Sequence, residues 1–268
     1  DLEMPPYPTA NVATAASHCV PQNPLIKLGA TVDIEADGQP SMNADGDGAD
    51  EDGFDPGAYM FVRYQPQDVT VSLMNMTGQM AKLSMFIDWD NNGDFTGPNE
   101  MYDVMVNAGD VSATLTGVTP PAGAVINQNL AVRFRLSTDM AAVMSPGGNA
   151  PDGEVEDYLI TVMAFDYGDL ADGAAGTGEQ DYETLSANGG PSHKLITDPM
   201  GNIILKLGAV IDDELDGQQS ADADGDGADE DSFDPNAQMF ITGQPVDLTF
   251  PVMNMTGMDA KLTVYIDW

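Results

Sequence analysis

Basic residues are scarce in this chain: 8 Lys and Arg stand against 44 Asp and Glu in 268 residues, a formal charge of −36. So negative a surface repels phosphate backbones and anionic lipid headgroups. That excludes nucleic acid and anionic membranes as partners and leaves metal cations or basic proteins as counterions. Cysteine is nearly absent. Cys19 stands alone, which excludes an intrachain disulfide and any thiolate zinc or redox cluster. The two histidines, His18 and His193, lie near no nucleophile motif, so a packed or capping role is expected of them. No apolar run approaches the roughly 18 residues of a membrane span, and the opening DLEMPPYPT lacks the basic-then-apolar layout of a signal peptide. With no phosphate loop, dinucleotide fingerprint or hydrolase elbow, and no catalytic pair set apart from the other carboxylates, no enzymatic activity is expected.

What is present is apolar enough to fold: 42% of the residues are hydrophobic, and the length suits one large or two modest domains. The chain also repeats itself. KLGATVDIEADGQPSMNADGDGADEDGFDP from Lys27 returns from Lys206 as KLGAVIDDELDGQQSADADGDGADEDSFDP, and the register holds without a gap to Trp89 and Trp268. About 40 of the 63 paired positions are identical. The opening DLEMPPYPT is similar to the stretch beginning at Asp169, and the final Ile266-Asp267-Trp268 stops inside a motif that the first copy continues as IDWDNNGDF. The expectation is a processed or truncated window on a longer array, with a near-complete first unit over 1–164 and a second over 165–268 that lacks its closing strands. Such repeats build quasi-one-dimensional objects.

Strand patterns dominate. Val69–Leu73, Leu83–Ile87, Val111–Leu115, Leu130–Leu136 and Val155–Val162 alternate apolar with polar residues or are rich in β-branched and aromatic side chains. In NLAVRFRLST, Leu130, Val132, Phe134 and Leu136 face one way and Arg133 and Arg135 the other. Clusters of Gly, Pro, Asn and Asp separate these runs. The expected fold is all-β: tandem antiparallel β-sandwiches, Ig-like or jelly-roll-like, with acidic calcium-binding loops.

Two kinds of loop carry that chemistry. In Asp88-Trp89-Asp90-Asn91-Asn92-Gly93-Asp94 the oxygen donors Asp88, Asp90, Asn92 and Asp94 alternate around a central Gly, with Glu100 following. This is the ligand order of an EF-hand loop, with its closing acid one position late and no helical flanks. The other loop holds Asp45, Asp47, Asp50 and Asp52, and its copy holds Asp224, Asp226, Asp229 and Asp231. Small residues between these acids permit tight turns, and Ca²⁺ takes 6–8 oxygens at about 2.3–2.6 Å. Mg²⁺ demands stricter octahedral geometry, and the lack of His and Cys in both loops disfavours zinc and copper. The competing explanation is a solvated acidic surface of the salt-adapted kind.

The stretch Pro151-Asp152-Gly153-Glu154-Val155-Glu156-Asp157-Tyr158, with RFRLSTD and IDWDNNGDF before it and EADGQPS at 35–41, resembles the GEVED domain. That resemblance implies an extracellular, repetitive, adhesive or structural β-sandwich of large secreted bacterial surface proteins. Glu154 and Glu156 alternate onto one face and are candidate distal calcium ligands; a charged strand edge that blocks aggregation is the alternative. Tyr158 is expected in the core. Asn75-Met76-Thr77 and Asn254-Met255-Thr256 are either glycan acceptors or simple turns.

The functional expectation is a calcium-stabilised structural repeat at the bacterial cell surface. It would meet further copies in series or in neighbouring chains to form a stalk or filament. The alternative is a calcium-dependent carbohydrate-binding module, whose glycan ligand would require exposed aromatics; the two Trp both fall in the IDW motif.

Overall fold

The computed structural model describes residues 7, 14–32, 34, 37–44, 46, 52–227 and 232–268. The chain divides into two compact units, Asp1–Val162 and Met163–Trp268. Both are built from strands and short 3₁₀ turns, and among the described residues no helix is long and apolar enough to cross a membrane.

Unit 1 is sandwich-like. Its strands are β1 (Ala16–His18), β2 (Ile26–Leu28), β3 (Phe61–Val62), β4 (Gln67–Asn75), β5 (Ala81–Ile87), β6 (Met101–Val106), β7 (Ser112–Val118), β8 (Asn129–Ser137), β9 (Gly148–Ala150) and β10 (Glu154–Met163). One sheet runs β3-β10-β8-β5-β6 and the other β2-β4-β7. Every strand anticipated from alternation is present. The short β1 departs from the antiparallel expectation by pairing in parallel with β9.

Alternation aims Leu83, Met85 and Ile87 of β5 and Leu130, Val132, Phe134 and Leu136 of β8 into the core, where all are buried. Phe54, Phe61, Trp89 and Tyr158 join them; the Phe54 ring lies 5.2 Å from both Phe134 and Tyr158. The opposite face of the larger sheet is covered as well. Phe86 and Ala131 pack there with Tyr7 and Phe95, and Arg133 and Arg135 are buried beside them. Alternation alone would have sent those arginines to solvent. They stay inside because each guanidinium is satisfied: Arg133 makes a bidentate pair with Asp157 at 2.6 and 2.7 Å, directly across the β8–β10 ladder. Arg135 donates to the carbonyls of Ala142, Ser145, Gly147 and Gly148 and to Nε2 of His18.

Unit 2 contains β11 (Phe165–Tyr167), β12 (Ser192–Lys194), β13 (Leu205–Leu207) and β14 (Val252–Asn254), paired as β11-β12 and β13-β14. The β2–β4 register Ile26–Asn75 recurs 179 positions on as Leu205–Asn254 in β13–β14. The same offset relates the 3₁₀ turns at Pro56–Ala58 and Pro235–Ala237, capped by Asp55 and Asp234.

Candidate metal centre

β5 enters and β6 leaves a hairpin whose loop holds the D-x-D-x-N-G-D motif. Asn91 at φ 53° and Gly93 at φ 93° turn the backbone through the left-handed region. This curls the loop so that the amides of Asn92 and Gly93 donate to Asp88, at 3.1 and 2.8 Å. Glu100 returns from the far side of the hairpin, its carboxylate accepting from the amides of Trp89 (3.2 Å) and Gly97 (2.6 Å). A Cβ at Gly97 would stand 2.7 Å from the Glu100 carboxylate, so any other residue there would push that carboxylate from its place.

The outcome is one acidic focus. Carboxylate oxygens of Asp88, Asp90 and Glu100 lie within 4.8 Å of one another, the one such His, Cys or acidic group among the described residues. Asp88 and Glu100 are buried and Asp90 is exposed, so the group opens to solvent on one side. Burial pushes the Asp88 carboxyl upward and the adjacent Asp90 carboxyl adds to it; burial does the same to Glu100, with repulsion from Asp88 and Asp90. Three convergent carboxylates with no cationic side chain among them match a hard divalent cation in donor chemistry. The late position of Glu100 does not keep it away, because a hairpin replaces the helical flanks of an EF-hand.

The remaining predicted ligands divide. Asn92 accepts from the Asp94 amide at 2.8 Å and donates to Asp90 at 3.2 Å. Asp94 turns to Thr96, whose amide and hydroxyl donate to it at 2.8 and 2.6 Å, and lies outside the three-carboxylate group. Asp45, Asp47, Asp50, Asp229 and Asp231 fall outside the described residues. Asp52 and Asp224 are exposed, the latter accepting from the Ser220 hydroxyl at 2.8 Å. Asp226 is half-buried; burial first, and then repulsion from Asp226 and Asp212, push the Asp166 carboxyl up to about 6. Gly46 and Gly225 share one constraint. A Cβ on either would strike a carbonyl, Gln39 O at 1.8 Å or Gln218 O at 1.6 Å, so both loops approach their own backbone too closely for any other residue.

Glu154 and Glu156 serve the loop in a different way. Leu28 donates its amide to Glu154 at 2.6 Å, and Gly53 donates to Glu156 at 3.1 Å. The amides of Gly53 and Phe54 also donate to the Tyr158 hydroxyl, at 2.9 and 3.1 Å, and that hydroxyl donates to Glu156. Three side chains on one face of β10 thus grip the chain just before and just after the acidic stretch 29–52. β10 lies between β3 and β8, so these carboxylates do not guard a sheet edge.

One participant escaped sequence reasoning. The buried Tyr7 hydroxyl donates to Asp88, and its ring lies 5.0 Å from Phe95. In unit 2 the Tyr182 hydroxyl donates to Asp267, the counterpart of Asp88, at 3.0 Å. The signal was available: Tyr7, Thr9, Ser17 and His18 match Tyr182, Thr184, Ser192 and His193 at a constant offset of 175, a few residues short of the 179 that governs the rest.

The sequons behave as turns. Thr77 donates its amide and hydroxyl to Asn75, and Thr256 does the same to Asn254. The Asn75 amide nitrogen, which a glycan would need, is buried and donates to the carbonyls of Gln79, Val106 and Asn107.

Residues 82–161 match the family model of the GEVED domain, a span that opens in β5, includes the carboxylate hairpin and closes in β10. No curated protein and no solved structure matches the chain.

Proposed function

We propose that this chain is a calcium-stabilised structural module of an extracellular bacterial surface protein, in which successive periods assemble end to end into a stalk or filament. The observation that carries the reading is the meeting of Asp88, Asp90 and Glu100 within 4.8 Å on the β5–β6 hairpin. A bound Ca²⁺ would offset the repulsion among these carboxylates and hold the hairpin shut, acting as the staple that a chain with one cysteine lacks. Support for periodic assembly comes from the 63-residue internal copy and from strand pairs and turns that recur at one offset. Residual negative charge would keep such filaments dispersed. The rings of unit 1 that crowd its core, among them Phe54, Phe61, Trp89 and Phe134, are buried, which favours the structural reading over a carbohydrate-binding module.

The test is thermal unfolding of the chain in millimolar CaCl₂, in MgCl₂ and in chelator, beside Asp88→Asn and Glu100→Gln. A large rise in Tm with Ca²⁺, a much smaller one with Mg²⁺ and loss of the rise in both variants is the expected result. Equal Tm in calcium and chelator would leave the acids merely solvated and overturn the reading.

A further inference from the structure

Residues 27–89 and 206–268 share one register and most of their sequence, yet they end in opposite environments. Trp89 is 1% exposed and Trp268 is 87% exposed; Ile87 is fully buried and Ile266 is 45% exposed; Leu83 is fully buried and Leu262 is 45% exposed. In unit 1 the strands that bury these side chains are identified. β8 pairs directly with β5, Leu136 opposite Leu83 and Val132 opposite Ile87, and β10 continues the sheet beyond β8. Among the described residues of unit 2 no strand occupies either place.

Some contacts of unit 2 that precede those strands are nevertheless already set. β13 and β14 pair as β2 and β4 do. Gly208 donates its amide to Pro251 O at 3.1 Å as Gly29 does to Ser72 O at 3.0 Å. Tyr182 meets Asp267 as Tyr7 meets Asp88. Part of a half-sandwich is thus in place, while residues 260–266, the counterpart of β5, are not paired into a strand, and unit 1 displays the strands that would complete it.

We infer that residues 206–268 form an acceptor for a GEVED half, a polypeptide with the strand pattern of residues 90–163 supplied in addition to the one that unit 1 already uses. Its β8-like strand would seat alternate apolar residues against Leu262, Val264 and Ile266, as Leu136, Phe134 and Val132 seat against Leu83, Met85 and Ile87. Its β10-like strand would bring Glu, Glu and Tyr to the amides of Leu207, Ser232 and Phe233, the positions that match Leu28, Gly53 and Phe54. A second copy of this chain is the poorer occupant: it brings two such acceptor halves and a single 90–163 segment, so lending that segment out opens as much apolar surface as it covers. The inference does not depend on a cation.

The experiment extends the full chain from Trp268 with a second copy of residues 90–163. Trp89 is protected in both proteins and serves as the internal control for folding, so acrylamide quenching reports on Trp268. The expected result is that Trp268 becomes as quencher-resistant as Trp89, that binding of an apolar dye is lost, and that both changes disappear when Val132→Asp and Phe134→Asp are placed in the extension alone. Should the extension fold poorly, replacing residues 27–89 by 206–268 in the original chain puts the acceptor onto a GEVED half already in place, and its Trp should be buried in a cooperatively folded unit 1. The inference is overturned if Trp268 stays quenchable with the intact extension, if the disrupted extension protects it equally, or if the replaced unit 1 leaves its Trp exposed. It is also overturned if the unextended chain protects Trp268 by concentration-dependent self-association, which would make a second copy the occupant.

Discussion

The Tyr7 hydroxyl donates to the buried carboxylate of Asp88, the first acid of the hairpin loop, and Tyr182 repeats the pair with Asp267. In unit 1 the tyrosine ring is also packed on Phe95, so residue 7 is held at both its apolar and its polar end. Burial and the neighbouring Asp88 push the tyrosine upward in pKa, keeping the proton on the phenol where it can donate.

Tyr7→Phe should therefore destabilise unit 1 by about 1–3 kcal/mol, because a buried carboxylate loses a donor that water cannot replace. Tyr182→Phe should change stability far less, since its pair is exposed. Chemical denaturation of the two variants side by side measures the difference.

Breaking the Arg133–Asp157 pair should be costlier. Asp157→Ala leaves a guanidinium buried on the face it shares with Phe95, 6.0 Å from that ring, and a loss of about 3–5 kcal/mol is expected. Urea unfolding of the variant gives the value.

His18 should set part of the acid sensitivity. Its Nε2 accepts from Arg135 at 3.1 Å, so the proton sits on Nδ1, which donates to the Asp152 carbonyl at 2.7 Å. Burial, reinforced by the Arg135 charge, pushes its pKa down from 6.5 to about 3. The unfolded chain then binds a proton that the folded chain refuses, and this contribution to stability is lost as pH falls below about 6.5. The wild type should lose stability relative to His18→Gln between pH 6 and 4, measured as the difference between their denaturation midpoints.

The β10 clamps should be legible one amide at a time. Glu154→Ala should speed hydrogen exchange at Leu28, and Glu156→Ala should speed it at Gly53, each with about 1–3 kcal/mol of lost stability. Equal exchange in both variants and the wild type would mean that the loop ends are held by other means.

Much of this architecture was readable in advance, for physical reasons that differ by element. Alternation located β4, β5, β7, β8 and β10 because a half-buried strand must sort its side chains by face. It misjudged the far side of β8, since a period of two says which residues share a face and not whether the second face is covered; Asp157 opposite Arg133, and the carbonyls and His18 around Arg135, make that burial tolerable. Ligand spacing brought out Asp88, Asp90 and Glu100, yet it could not foresee Asp94 turning to Thr96, a choice set by a hydroxyl two residues on. Tyr7 was overlooked because its partner is 81 positions away and its own repeat, though visible, runs at a different offset from the rest.

The bond from Leu28 to Glu154 spans 126 positions, and those from Gly53 to Glu156 and Tyr158 span 103 and 105. A chain synthesised from its N-terminus displays each acidic stretch long before the strand that secures it exists. Separations of this size make closure slow. The moment at which a unit locks is therefore fixed by the arrival of its last strand, and β10 acts as a timer as much as a fastener.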